Sequence, residues 1–197
     1  VRSSAASDVY KRQDYYSSQP DSRFGLSPRQ MAQANLQRCR SFAEHFGSSY
    51  ENLLLYGSAG LGKTFLSSCI ARTVTERGFS VTYDTAISIF DQYNAVKFRT
   101  GDPAAAAHAV ERFRSADLLI IDDLGTEMPS SFHTSCLYDL ISRRLMSRKP
   151  TILSTNLLPA ELENRYSQAI ASRILGEFTQ LRFIGSDIRR IRKQQRL

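Results

Sequence analysis

Gly57-Ser58-Ala59-Gly60-Leu61-Gly62-Lys63-Thr64 decides the fold: two glycines separated by four residues, then Lys and Thr, the pattern of a loop that wraps phosphates. The flanks agree. Asn52-Leu53-Leu54-Leu55-Tyr56 is a short apolar run with the composition of a buried parallel strand. Phe65 to Arg77 sets Leu66, Ile70 and Val74 on one helical face. A phosphate chain is gripped by backbone N–H groups pointing inward, which needs a tight turn that Gly57, Gly60 and Gly62 permit. A helix opening near Gly62 adds unpaired N–H groups and the positive end of its dipole. Lys63 then reaches the β- and γ-phosphates of a nucleoside triphosphate, and the Thr64 hydroxyl reaches Mg²⁺.

Further along, Asp117-Leu118-Leu119-Ile120-Ile121-Asp122-Asp123 is a buried-strand pattern ending in two carboxylates. Ligands of open parallel sheets sit at the carboxyl ends of the strands. Asp122 is therefore expected near the phosphate loop, holding Mg²⁺ through water. Asp123, one residue on, is placed to orient or deprotonate an attacking water. A third strand, Thr151-Ile152-Leu153-Ser154-Thr155, ends in Asn156, whose amide can bond both a γ-phosphate and that water.

The remaining elements follow from caps and periodicity. Residues 14–26 read as a polar loop or linker. Ser27-Pro28-Arg29-Gln30 is a capping box opening a helix with Leu36, Cys39, Ala43 and Phe46 on one face. Phe79 to Tyr83 alternates as a strand, Ala86 to Phe98 and Asp102 to Arg114 are helical, and Ser130 to Ser147 turns Leu137, Leu140, Ile141 and Leu145 inward. A helix at about 168–176 and a strand at 179–184 complete the set. Strands alternating with helices predict a three-layer α/β/α fold around a parallel sheet.

Together these segments resemble the AAA+ ATPases, and more narrowly the DnaC/DnaI-like helicase loaders and the related IstB transposition helpers. Ala171-Ser172-Arg173-Ile174 and Gly185-Ser186-Asp187-Ile188-Arg189 extend the resemblance, which runs from about Tyr15 to Arg192. It implies an AAA+ domain over residues 27–192 without a large lid domain, and a basic tail at 193–197. It implies ATP as the nucleotide, Asn156 as a first sensor, Arg173 as an arginine finger reaching a neighbour's ATP, and Arg189 as a second sensor. Expected partners are a replicative helicase, single-stranded DNA and further copies of the chain; the alternative client is a transposase. The helices at 86–114 lie where such proteins face single-stranded DNA, with Lys97 and Arg99 as candidate contacts. Many AAA+ members carry Glu where this chain has Asp123, so a slow, switch-like ATPase is expected. A small-molecule kinase is not expected to carry the Ser-Thr-Asn and terminal Arg segments, and retention of Lys63, Thr64, Asp122, Asp123 and Asn156 argues against a non-hydrolysing adaptor.

Composition narrows the class. At 197 residues the chain suits one domain with a sizeable core. It has no apolar stretch able to span a bilayer, and its three cysteines lack a Cys-x-x-Cys pair, so a cytoplasmic protein with reduced thiols is expected. The net charge of +7 divides into +2 in residues 1–13, +5 in residues 182–197 and zero between, so the basic character lies at the ends. Residues 1–13 begin without Met and read as translated adapter sequence. The resemblance leads us to expect that the chain is a fragment without the loaders' helicase-contacting amino-terminal domain.

Overall fold

Ser27 opens the first long helix of the computed structural model, which describes residues 15–23 and 25–194. Its hydroxyl accepts from Gln30 N, its own N–H donates to the Gln30 side chain, and Pro28 takes the first helical position. Helix α1 (Pro28–Glu44) is followed by β1 (Leu53–Gly57), α2 (Lys63–Glu76), β2 (Val81–Thr85), α3 (Ala86–Phe98) and α4 (Pro103–Ser115). Then come β3 (Leu118–Leu124), α5 (Ser131–Met146), β4 (Thr151–Thr155), α6 (Pro159–Arg165), α7 (Gln168–Glu177), β5 (Thr179–Phe183) and α8 (Ile188–Gln194).

The five strands form one parallel sheet in the order β2-β3-β4-β1-β5. Side chains alternate across it, as the two-residue period of a strand requires. Leu54, Tyr56, Leu119, Ile121 and Leu153 face one way, into a core shared with α3, α4, α5 and α7. Leu53, Leu55, Leu118, Ile120 and Ile152 face the other way and pack against α1 and α2. The expected three layers are therefore present. Strand β2 begins two residues later than the alternation of Phe79 suggested. Phe79 instead closes the turn after α2, donating its N–H to Val74 O and setting its ring edge-on to Phe46. Among the described residues no helix is long and apolar enough to cross a membrane.

One buried cation pins the far end of the sheet. Arg144 of α5 is 1% exposed and donates to Thr151 Oγ1 and to the carbonyls of Phe113, Arg114, Ala116 and Pro150. It thus satisfies the carboxyl end of α4 and the entrances to β3 and β4 together. Burial pulls its pKa down to about 10, so it remains charged at neutral pH. Arg144→Met strands several buried acceptors. Urea denaturation is expected to register a loss of about 3 kcal/mol or more, a large share of a domain's stability.

Candidate nucleotide site

Helix α2 starts immediately after Gly62, which sits at φ 96° and offers no side-chain cap, so the first N–H groups of the helix remain open to a ligand. Gly57 (φ 135°) and Gly60 (φ 75°) are required by contact as well as by conformation. A Cβ on Gly57 would come within 2.1 Å of Phe183 O, and one on Gly60 within 1.9 Å of Asp187 Oδ1. Ser58 and Ala59, between them, are exposed, and Leu61, which follows Gly60, is buried.

Lys63 lies inside the loop that it belongs to. Its Nζ donates to Gly57 O (2.6 Å), Ser58 O (2.8 Å) and Asn156 Oδ1 (2.8 Å). Burial lowers its pKa to about 8, against the pull of Asp123 and Asp122 in the other direction. The ammonium is thus desolvated and held by neutral oxygens, an arrangement that a phosphate chain improves on. Thr64, beside it, is exposed at the first turn of α2.

The acidic pair owes its geometry to a β-bulge. Ile121 pairs with Leu153 and Leu124 with Thr155, so Asp122 and Asp123 stand opposite the single residue Ser154. Asp122 is buried, and its carboxylate accepts from Tyr83 Oη (2.7 Å), Asp123 N (3.1 Å) and Ser154 Oγ. Asp123 takes the left-handed conformation (φ 54°), with its N–H also donating to Ser154 Oγ and its carbonyl accepting from Thr126 N and Oγ1. The bulge therefore sends two consecutive carboxylates in different directions, one into a network of donors and one toward the loop.

A cavity of about 580 Å³ gathers most of these groups: Ala59 to Thr64, Asp123, Asn156 and Arg189 all line it. Arg189 is delivered by α8, whose Ile188 N–H donates to Gly60 O and whose Asp187 carboxylate caps Arg189 N. The rest of the lining is largely apolar and includes Ala32, Leu36, Phe183 and Ile188. Tyr16 closes this side, donating to Leu61 O at 2.7 Å, and burial raises its pKa to about 12. It went unnoticed in the sequence because nothing local links it to a residue forty-five positions away. Arg173 does not line this cavity. It lies on α7, in the opposite layer from α1 and α2, with Nη2 donating to Tyr138 Oη (2.8 Å) and its guanidinium 4.8 Å from that ring.

Oxygen donors alone suit a hard divalent cation. Among the described residues no three His, Cys, Asp or Glu are grouped to hold a metal. Thr64 lines the cavity and Asp122 lies outside its lining, and the hydroxyl of the one and the carboxylate of the other are the oxygen donors that would hold Mg²⁺.

A parallel sheet in this order, with a phosphate loop after β1 and a carboxylate pair at the end of β3, defines an ATP-binding P-loop domain of the AAA+ type. The chain belongs to the family of IstB-like ATP binding proteins, whose model matches residues 22–195. The replicative helicase loader DnaC of Escherichia coli K12 is 26% identical over 141 residues, 71% of this chain and 56% of its own length. The chain thus spans little more than half of that relative. The crystal structure of a DnaC helicase loader superposes with a TM-score of 0.70 at 20% identity, covering 90% of this chain and 99% of that one. A replication initiator DnaA bound to AMPPCP and single-stranded DNA superposes at 0.64 and 22% identity, over 81% of this chain and 49% of that one.

Proposed function

We propose that the chain is the ATPase part of a helicase loader, hydrolysing ATP with Mg²⁺ and acting on single-stranded DNA as a head-to-tail assembly of copies. The observation that carries this reading is a division of labour. Lys63, Asp123, Asn156 and Arg189 share one cavity, whereas Arg173 is displayed in another layer of the same chain. A site lacking its finger is completed by a neighbour in a heterologous contact, which builds rings or filaments.

In this reading the apolar lining beside Tyr16 takes the adenine, and Lys63 exchanges its three neutral oxygens for the β- and γ-phosphates. Thr64 and Asp122 would hold Mg²⁺, which when bound would neutralise charge on the phosphate oxygens. Asp123 accepts a proton from the attacking water, Asn156 orients that water, and Arg189 steadies the γ-phosphate in cis. Arg173 of the next copy neutralises the charge that develops on the transferred phosphoryl group. For DNA, α3 offers Lys97, whose Nζ lies 3.8 Å from the Phe132 ring centroid and 5.1 Å from that of the largely exposed Phe98. A cation beside one exposed ring, Phe98, and one half-buried ring, Phe132, suits the backbone and bases of a single strand.

Arg173→Ala is expected to bind ATP normally and hydrolyse it poorly. Mixed with Lys63→Ala, which keeps its finger, it should regain activity; a mixture that co-assembles and stays inactive removes the finger from the reading. The client is tested by turnover with single-stranded DNA and with the replicative helicase or the transposase of the same genome. Stimulation by DNA and helicase is expected. Stimulation by the transposase alone would make the chain an IstB-like transposition helper.

A further inference from the structure

Glu127 is a carboxylate that nothing in the ATP chemistry uses, yet it is only 6% exposed. Burying a carboxylate is costly unless its oxygens are filled, and here they are. Oε2 accepts from Gly125 N (2.9 Å), while Oε1 accepts from Tyr166 Oη (2.6 Å) and Arg165 Nη2 (3.3 Å). Arg165 Nη2 also donates to the Glu127 carbonyl. The two sides of this carboxylate belong to different parts of the machine. Gly125 follows Asp123 by two residues, in the turn that leaves the bulge. Tyr166 ends α6 and stands next to Ser167, whose hydroxyl caps α7 by accepting from Ile170 N.

We propose that Glu127 is a positioning residue that ties the turn carrying Asp123 to the helix carrying Arg173. This rests on the reading of Asp123 as the water-activating group and Arg173 as a finger in trans. The turn needs such a tie. Gly125 has no side chain of its own and sits at φ 100°, packed under Leu157, where a Cβ would come within 2.7 Å of Leu157 Cδ1. Asp123 itself holds a left-handed conformation that L-residues disfavour, and strained backbone persists only where its surroundings over-determine it. On the helix side, α6 is seven residues long and leads into α7 through only Tyr166 and Ser167. Fixing Tyr166 therefore fixes where α7 begins, and with it the direction in which Arg173 is offered. A displacement of about 1 Å in a positioned group costs on the order of a hundredfold in rate.

The test uses the full chain and the complementation just described, with Lys63→Ala plus Arg173→Ala as the reference mixture. Glu127→Ala is expected to bind a labelled ATP analogue within about threefold of wild type and to lose about tenfold or more in turnover. Mixed with Lys63→Ala, which supplies a good finger, it should not recover, because its own Asp123 turn is loose. Mixed with Arg173→Ala, which supplies a good Asp123, it should not recover either, because the finger it lends is misaimed. Wild-type turnover of Glu127→Ala, or recovery in either mixture equal to the reference, overturns the proposal. An inactive reference mixture instead overturns the finger reading, and the finger half of the proposal with it. If Glu127→Ala does not fold, Tyr166→Phe, which loses one oxygen and keeps the grip on Gly125, separates the two halves. It should complement Lys63→Ala and fail to complement Arg173→Ala; equal success with both partners rejects the tie.

Discussion

Lys63→Ala is expected to weaken ATP binding about a thousandfold. Hydrogen bonds to charged groups contribute about 1.5–3 kcal/mol each, so two from the ammonium to phosphate oxygens amount to about 4 kcal/mol. The unliganded fold should not suffer in proportion. Burial holds the Lys63 pKa near 8 rather than 10.5, so below about pH 8 the folded protein carries a charge that it disfavours. That penalty is relieved as pH rises from about 8 toward 10.5, and the substitution removes it at every pH. Thermal melting without nucleotide should therefore change little, while the stabilisation that ATP gives wild type disappears. Equal binding of a labelled analogue by mutant and wild type would disprove the phosphate-loop assignment.

The second large effect is chemical. Asp123→Asn is expected to keep ATP affinity and lose about a hundredfold in hydrolysis, since an amide cannot take a proton from water. The substitution is clean for a structural reason. Position 123 is left-handed (φ 54°), a conformation that Asn tolerates as readily as Asp. The backbone bonds to Ser154 Oγ, Asp122 Oδ1 and Thr126 do not involve the side chain being changed. Ala at the same position would confound lost chemistry with backbone strain. Single-turnover phosphate release, measured beside nucleotide affinity, checks the prediction. Unchanged turnover would move the base elsewhere.

Much of this was legible in the sequence because it is local. The phosphate loop carries its glycines, Lys and Thr within eight consecutive positions, and its strand and helix announce themselves by composition and period. The layers follow from strands alternating with helices. Contacts between distant positions left no such signal. Tyr16 reads as part of a polar loop, and only folding lays it on Leu61. Arg144 occupies an inward position of α5 that periodicity assigns to an apolar residue, and its acceptors come from the ends of three other elements. Glu127 reads as an acid after a turn until Tyr166 and Arg165 are brought to it. The bulge at Asp122 and Asp123 was equally hidden, since a run of apolar residues does not reveal where two residues oppose one.

The placement of Arg173 also bears on counting. With the finger acting in trans, every row of copies that stays open ends in one site that no neighbour completes. A pair holds a single working site, and longer rows approach one per subunit without reaching it until the row closes on itself. In the proposed assembly specific activity would rise with protein concentration, and a single strand that lined up many copies would act as a template turning scattered, idle subunits into a working array.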